Sequence, residues 1–368
     1  MKFTLERKDL LPKLETVAMA VAPKTVKPVL AGILFRVSQD GEISLMATDL
    51  ETSVKTGIKS KHFEGEASAF VVEANLFIEI IRNLYDADIK FSLDTTNLSI
   101  DQGKSHFLIP TMSADDYPDF DTISAGSSFK ESLTALELMI DRTLFCAARD
   151  EFMRNLNGIY WEFDGDFFRL VAADGFRMAL AEGKVGTALG ENFLLSLKSM
   201  KNLHNAMKSA KSDEITISHD GSRVGFSFDD TEIVARVVEA DFPDYRKVLP
   251  KAFKTRVKVD TKAFLDALRR GSIAARFGSD SIKLELVDGQ IRLMSSSQDH
   301  GESLDELAVS KDGDDLTIAF NPRFLSEAMK KVDSEETELN FVDAGSALQI
   351  NPVGVEGYIY IVMPIRLI

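Results

Sequence analysis

The sequence has little of the chemistry that usually identifies an enzyme. It contains a single cysteine, Cys146, which excludes an intramolecular disulfide and a zinc site built on cysteines. Cys146 lies in an apolar helical stretch, LFCAA, so we expect a buried thiol without a reactive role. The 5 histidines are scattered, without the spacing of a metalloprotease motif. Nucleophile-elbow, Walker and dinucleotide-binding motifs are also missing, so the sequence predicts no catalytic residue, no metal and no cofactor.

Long apolar segments are missing as well. No run of 18 apolar residues occurs, and the N-terminal stretch MKFTLERKDLL has no apolar signal core. We therefore expect a cytoplasmic protein with no membrane partner. Acidic clusters occur near predicted strand ends, and we interpret them as solvated turns, with a divalent-metal site as the alternative. These clusters are Asp115 with Asp116, and Asp312 with Asp314 and Asp315.

An internal repeat organises the chain. Residues 29–50, VLAGILFRVSQDGEISLMATDL, resemble residues 156–177, LNGIYWEFDGDFFRLVAADGFR, and residues 281–299 carry a weaker copy. Matching positions are 126 residues apart at Gly32 and Gly158 and 123 apart at Phe70 and Phe193, which gives a period of about 123 residues. Three such repeats fill the chain. We therefore predict three domains, 1–126, 127–252 and 253–368.

Each repeat has two similar halves, and each half predicts a short strand, a helix and three further strands. The helices show apolar residues at helical spacing, and the strands alternate between apolar and polar residues with Asp-Gly turns. Because these turns are too short for crossovers, we expect antiparallel sheets and an α+β fold. The helices are predicted over residues 6–20, 73–85, 134–149, 197–211, 261–276 and 322–332, with Asn75, Asp260 and Asn321 as N-caps.

Charge is distributed unevenly between the helices and the rest of the chain. The net charge is −15, yet the six predicted helices carry about twice as many Lys and Arg as Asp and Glu. One basic surface on an otherwise acidic protein would attract a phosphate backbone on that side alone. No base-reading motif is present, so binding to nucleic acid should depend on salt and not on sequence. The alternative is a set of solvated helix faces.

Several motifs, taken together, resemble one known family. The opening MKFTLER, LNGIYWEF, ADGFRMA, FPDYRKVLP and the C-terminal YIVMPIRLI are similar to the bacterial sliding clamps, the β subunits of replicative DNA polymerase. The resemblance runs from end to end. It implies three tandem copies of the DNA-clamp fold, with antiparallel sheets outside and helices lining a central hole. It also implies a head-to-tail dimeric ring that slides on duplex DNA near the nucleoid.

The family binds short linear peptide motifs in a hydrophobic pocket between the second and third domains. The expected partners are the polymerase α subunit, the clamp loader, and other polymerases and repair proteins. Matching motifs implies that the pocket uses Leu156, Ala173, Gly175, Phe176, Arg177, Met178, Pro243, Lys247, Val248, Phe277, Asn321, Phe324, Val362, Met363, Pro364 and Arg366. Asp174 lies within the same motif but is not part of this set. Its counterpart Asp49 in the first repeat indicates that it has a structural role, capping a turn.

The resemblance also implies DNA-facing and interface residues. The DNA-facing set is Lys13, Lys24, Arg82, Arg149, Arg154, Lys198 and Lys201, and the dimer interface would use Phe107, Ile109 and Ile273. The sequence departs from the family at three positions. Phe176 replaces the usual His, Phe324 stands where a hydroxyl-bearing aromatic is common, and Ile368 extends past the usual terminal Leu.

The sequence therefore predicts a non-catalytic clamp that encircles double-stranded DNA, forms a homodimer and tethers a polymerase. One alternative is a repeat scaffold that docks peptides but does not bind DNA. A second alternative, of another class, is an enzyme such as a metal-dependent nuclease.

Overall fold

A computed structural model describes most of the chain in two compact units. The first unit is built mainly from residues 1–137 and 198–237, and the second mainly from residues 138–184, 192–197 and 238–366. The described residues are 1–368 except Pro23, Ser124, Ala125, 185–190, Ser279, Gln298, Leu367 and Ile368. The extension at Ile368 therefore lies outside the described residues.

The described residues contain six α-helices, one in each predicted half-repeat. They are α1 (Arg7–Ala18), α2 (Ala74–Asn83), α3 (Leu133–Thr143), α4 (Leu197–Met207), α5 (Thr261–Ala275) and α6 (Pro322–Met329). No described helix has both the length and the apolar character needed to cross a membrane.

Two of the three predicted N-caps are confirmed. The carboxylate of Asp260 accepts a hydrogen bond from the backbone of α5, and the Asn321 side chain accepts one from α6. The prediction of Asn75 is wrong. Glu73 caps α2 instead, because its longer side chain reaches back to accept from the amides of Asn75 and Leu76.

Every half contains the predicted opening strand and three further strands, and three halves add one short strand each, β5, β10 and β23. The first repeat contains β1 (Lys2–Glu6), β2 (Gly32–Val37), β3 (Glu42–Thr48), β4 (Thr52–Lys59), β5 (His62–Glu64), β6 (Ser68–Glu73), β7 (Asp88–Leu93), β8 (Asn97–Gln102), β9 (Ser105–Pro110) and β10 (Met112–Ser113). The second contains β11 (Ser127–Ser132), β12 (Gly158–Asp164), β13 (Phe167–Ala173), β14 (Arg177–Lys184), β15 (Phe193–Ser196), β16 (Glu214–His219), β17 (Arg223–Phe228) and β18 (Thr231–Arg236). The third contains β19 (Thr255–Asp260), β20 (Ile282–Val287), β21 (Gln290–Ser297), β22 (Gly301–Ala308), β23 (Ser310–Gly313), β24 (Leu316–Phe320), β25 (Glu336–Phe341), β26 (Leu348–Pro352) and β27 (Tyr358–Val362).

The two halves of each repeat exchange their opening strands. In the first repeat β1 pairs with β7 of the second half, while β6 pairs with β2 of the first half. The second and third repeats show the same exchange, through β11 with β16, β15 with β12, β19 with β25 and β24 with β20. All these pairs are antiparallel, as predicted. A half-repeat therefore completes its sheet only with a strand from the other half.

Longer sheets form where strands of different repeats meet. In the first unit, β4 pairs with β18 inside a nine-stranded sheet, ordered β10-β6-β2-β3-β4-β18-β17-β16-β11. In the second unit, β14 pairs with β27 inside another nine-stranded sheet, ordered β15-β12-β13-β14-β27-β26-β25-β19-β23. The remaining sheets are β5-β1-β7-β8-β9 in the first unit and β22-β21-β20-β24 in the second. Their terminal strands, β9 and β22, are sheet edges within the described chain.

The helices pack on the sheets through fully buried side chains such as Phe77, Leu136 and Phe264. Cys146 follows α3 in a short 3₁₀ turn and is buried, as predicted, and burial raises the pKa of its thiol. The helices end earlier than predicted. Lys208, Lys211 and Arg149 consequently lie beyond the helix ends, so the positive excess on the helices themselves is smaller than expected.

Candidate functional site

A cleft in the second unit collects many of the residues implied by the sequence. It encloses about 170 Å³ and has a largely apolar lining. The lining residues are Leu156, Ala173, Gly175, Arg177, Met178, Phe242, Pro243, Asp244, Tyr245, Val248, Ile361 and Met363. These residues come from four separate stretches of the chain, at Leu156, 173–178, 242–248 and 361–363, so the cleft exists only after the second and third repeats have joined.

The pairing of β14 with β27 builds the floor of the cleft. The register places Met178 opposite Ile361 and Arg177 opposite Val362. Neighbouring residues in a strand point to opposite faces, so Ile361 and Met363 share the cleft side while Val362 is fully buried. The amide of Met363 donates to the carbonyl of Phe176 at 2.8 Å, which extends the pairing to the rim.

The turn at Asp174 forms one corner of the cleft. Its Oδ1 accepts hydrogen bonds from the amides of Phe176 and Arg177, both at 3.0 Å. Gly175 adopts a φ of 87°, a left-handed conformation that favours glycine. Its missing side chain leaves open space at the rim, since a Cβ there would meet nothing within 4 Å. Asp174 is therefore a structural turn residue, as its counterpart Asp49 predicted.

Arg177 is a buried charge with a full set of partners. Its guanidinium donates to Asp174 at 3.0 Å, to Glu327 at 2.5 Å and to the carbonyl of Phe145 at 2.9 Å. It also lies over the ring of Phe324, 4.5 Å from the centroid. Burial of Glu327 favours its neutral form, but hydrogen bonds from Arg323 and Arg177 outweigh this and lower its pKa. Arg177 thus connects the turn at Asp174 to Glu327 on α6.

The opposite wall is the segment that follows Phe242. A 3₁₀ turn, Tyr245–Val248, places the Tyr245 ring against the cleft. The Phe242 ring stacks on Tyr160, with 5.0 Å between centroids. Glu162 on β12 accepts hydrogen bonds from the Tyr245 hydroxyl at 2.5 Å and from Arg246 at 2.7 and 2.8 Å. Burial opposes ionisation of Glu162, yet these hydrogen bonds lower its pKa.

Eight of the sixteen residues implied for peptide binding line the cleft directly. The other eight do not line it: Phe176 is exposed and stacks on Phe324, Lys247 is exposed, Phe277 stacks on His300, Asn321 caps α6, Val362 is buried, and Pro364 and Arg366 follow β27. The sequence-based prediction missed Phe242, Asp244, Tyr245 and Ile361. The first three flank Pro243 in the quoted FPDYRKV motif, and the alternation of YIYIV could have separated Ile361 from Val362.

The residues predicted to face DNA lie on helices and adjoining loops, and three already have acidic neighbours. Lys13 pairs with Asp230, Arg82 with Glu15 and Lys198 with Asp49. Lys24, Lys201, Arg149 and Arg154 are exposed. Within the described residues, no group of three or more His, Cys, Asp or Glu side chains is arranged to hold a metal ion.

The residues predicted at a dimer interface lie at or near the edge strands. Phe107 on β9 is partly exposed, whereas Ile109 on the same strand is buried in its own chain. Ile273 on α5 is exposed. Two further apolar side chains are exposed on the edge strands, Leu108 on β9 at 60% and Leu304 on β22 at 61%.

Comparisons with known proteins match the chain over nearly its whole length. The family models of the DNA polymerase III beta subunit match residues 1–121 (N-terminal domain), 132–244 (central domain) and 246–366 (C-terminal domain). The beta sliding clamp of Caulobacter vibrioides is 30% identical over 380 residues and that of Proteus mirabilis 28% over 371, with 100% of both chains covered in each case.

Solved structures agree with these matches. The DNA polymerase III beta subunit of Thermotoga maritima superposes with a TM-score of 0.95 at 44% identity, covering 100% of both chains. The Bacillus subtilis DNA polymerase sliding clamp gives a TM-score of 0.92 at 25% identity, also over 100% of both chains. A sliding clamp from Pseudomonas aeruginosa bound to griselimycin gives 0.92 at 25%, again over 100% of both. The three-domain clamp fold that the resemblance implied is therefore confirmed.

Proposed function

Because the chain belongs to the DNA polymerase III beta subunit family of sliding clamps, we propose that it encircles duplex DNA and tethers a replicative polymerase. The observation that carries this proposal is a similarity that spans every residue of the chain, in sequence and in fold. The role is that of a non-catalytic processivity subunit, and its place of action is the cytoplasmic nucleoid. The proposed domains are residues 1–126, 127–252 and 253–368.

A head-to-tail homodimer would close the ring. Within the chain, the third strand after the helix of a first half pairs with the third strand after the helix of the second half of the next repeat, as β4 does with β18 and β14 with β27. The strands left over by this rule are β22 and β9. Pairing β22 of one copy with β9 of another continues the pattern and covers both edges. The exposed Phe107, Leu108, Ile273 and Leu304 support this interface, with Ile109 packed beneath it.

Binding to DNA would be electrostatic and independent of sequence. Lys13, Lys24, Arg82, Arg149, Arg154, Lys198 and Lys201 are the proposed contacts. Three of these cations carry intramolecular acid partners, so a phosphate must compete with a carboxylate at those positions. Contacts of this kind give salt-sensitive binding and allow sliding.

The cleft of the second unit is the proposed docking site for linear motifs of the polymerase α subunit, the clamp loader and other partners. A small apolar cleft takes an apolar side chain of a peptide, and a flexible methionine at its rim suits varied partners. Phe176, Phe277, Asn321, Phe324 and Arg366 would contact the parts of the peptide outside the cleft. Phe176 replaces an imidazole by an apolar ring, so its contact with a peptide cannot include a hydrogen bond.

Retention on circular DNA tests the proposed function. The protein is loaded onto a nicked or primed circle by a clamp loader and separated from free protein by gel filtration. A closed ring should remain on the circle and leave rapidly once a restriction enzyme linearises it. Equal release from circular and linear DNA would exclude topological binding, and would leave the peptide-docking scaffold as the better description.

Replacement of Met363 and Arg366 by Ala tests the docking site. Met363 lines the cleft, Arg366 follows it by three residues, and neither lies on the predicted dimer edges, so peptide affinity should fall at least tenfold, about 1.4 kcal/mol, while the dimer persists. Fluorescence anisotropy with a labelled clamp-binding peptide and sedimentation measure the two properties. A variant that loses its dimer and keeps its peptide affinity would place the C-terminal segment in the subunit interface instead.

A further inference from the structure

Glu162 holds a wall of the cleft without lining it. It lies on β12, is 5% exposed, and receives three hydrogen bonds from the wall segment through Tyr245 and Arg246. We propose that Glu162 is a positioning residue for peptide binding, which fixes the Tyr245 ring and the following 3₁₀ turn in the binding-competent arrangement. This inference rests on the proposed docking function of the cleft.

The carboxylate is itself anchored from the sheet side. Arg169 on β13 donates to Glu162 at 3.2 Å and also to Asp164 at 3.0 Å and Glu182 at 2.6 Å. A carboxylate has about four acceptor positions, and Arg169, Arg246 and Tyr245 occupy them from two directions. Glu162 therefore links a rigid sheet to the wall through charge-assisted hydrogen bonds, which are stronger than neutral ones.

The wall segment depends on this link because its own turn is short. The 3₁₀ turn spans 4 residues and has no side-chain cap, and Arg246 and Lys247 within it are exposed. Its other restraints are apolar: Phe242 stacks on Tyr160, and the Tyr245 ring belongs to the buried cluster that contains Met178, Leu180 and Ile361. Packing fixes the depth of the Tyr245 ring, whereas the hydrogen bonds of its hydroxyl and of Arg246 fix the orientation of the ring. Loss of Glu162 should therefore leave the wall folded but less ordered.

Disorder in the wall would appear as weaker peptide binding. The measured dissociation constant rises in inverse proportion to the fraction of molecules in the competent arrangement. If that fraction falls to about one tenth, affinity falls about tenfold. A merely structural contribution would lower the melting temperature and leave the affinity of the folded protein unchanged.

The first repeat supplies a matched control. Arg36 occupies the position of Glu162 on β2, and it pairs at 3.2 Å with Asp119, which corresponds to Asp244 of the wall. Both partners are exposed, so this pair joins a sheet to the corresponding loop without burial. Arg36→Gln therefore breaks an analogous sheet-to-loop contact far in sequence from the cleft residues.

The experiment compares the full-length wild type, Glu162→Gln, Tyr245→Phe and Arg36→Gln. Dissociation constants are measured by anisotropy with a fluorescein-labelled clamp-binding peptide of the replicative polymerase, and griselimycin serves as a second probe. We expect Glu162→Gln to weaken peptide binding about tenfold and Tyr245→Phe, which keeps the ring, about threefold, with Arg36→Gln unchanged.

The outcomes separate the inference from the function beneath it. A wild type that binds neither probe refutes the docking function itself. A wild type that binds, together with Glu162→Gln and Tyr245→Phe variants of unchanged affinity, overturns the positioning role alone. If Glu162→Gln fails to fold, Tyr245→Phe decides: normal affinity overturns the inference, and weakened affinity at an unchanged melting temperature supports it. Equal weakening in Arg36→Gln would also overturn it.

Discussion

Asp49 and Asp174 form the same kind of turn, but the third residue after the aspartate differs between them. Asp49 accepts from the amides two and three residues later, at 2.9 and 2.7 Å, as Asp174 does at 3.0 Å. In the first unit the third residue is Thr52, whose hydroxyl meets Ser199 at 2.7 Å. In the second unit it is Arg177, a buried cation held by two carboxylates.

The residue directly after the aspartate also differs between the two turns. Leu50 adopts a φ of 74°, a strained conformation for a branched side chain, whereas Gly175 adopts 87° without strain. The aspartate and its turn can therefore be preserved while the neighbouring residues change. The Asp174 turn, with Gly175 and Arg177, borders a cleft. In the Asp49 turn, with Leu50 and Thr52, the threonine hydroxyl makes a buried hydrogen bond with Ser199. The two repeats therefore share the turn and differ at two of its positions, the first and the third after the aspartate.

The largest expected difference comes from removing the third residue of each turn. Arg177→Ala leaves the partly buried Asp174 without its cation and Glu327 with Arg323 alone, and should cost about 3 kcal/mol of unfolding free energy. Thr52→Ala loses one neutral hydrogen bond and should cost about 1 kcal/mol. Urea titrations measure both, and hydrogen exchange localises the change. Similar losses in the two variants would mean that the arginine network adds no stability beyond an ordinary contact.

A smaller difference is expected at the residue directly after the aspartate of each turn. Gly175→Ala forces a side chain into the left-handed region and should destabilise the protein by about 1 kcal/mol. It should also weaken peptide binding, because the new methyl group enters the open rim of the cleft. Leu50→Gly relieves strain but adds backbone entropy to the unfolded chain, so its net effect should stay within about 1 kcal/mol. Thermal melts and peptide anisotropy test both, and an unchanged affinity for Gly175→Ala would remove the rim from the binding site.

The smallest expected effect is on the stability of the second unit at low pH. Glu162 and Glu327 both have a pKa below the ordinary value of 4.5, so their ionised forms stabilise the second unit. This stability is fully present above pH 4.5 and is lost as the pH falls through the lowered values. Calorimetry of the double variant Glu162→Gln, Glu327→Gln should show a shallower decline of melting temperature below pH 4.5 than the wild type. Parallel declines would assign the acid sensitivity to other carboxylates.

Local pattern was enough to predict the elements of this protein. Helical spacing and Asp-Gly turns placed six helices, and the repeated aspartate identified Asp174 as a turn residue. The cap at Glu73 was missed and Asn75 was predicted in its place, because caps are usually short side chains whereas the longer Glu73 reaches the amides of Asn75 and Leu76. The exchange of opening strands was not predictable from periodicity, since spacing along a chain does not specify which strands pair. The cleft depends on such a pairing, so Ile361 was missed although its neighbours in the chain were identified.

The pairing of β4 with β18 has a consequence for biosynthesis. Thr56 and Thr231, which face each other in that pair, are 175 residues apart. At about 5–20 residues per second, the ribosome needs roughly 10–35 seconds to deliver the second strand after the first. During that interval the growing chain carries an open strand edge, the kind of surface that aggregates or recruits chaperones. High contact order of this kind also slows folding, so maturation of the first unit should lag behind its translation.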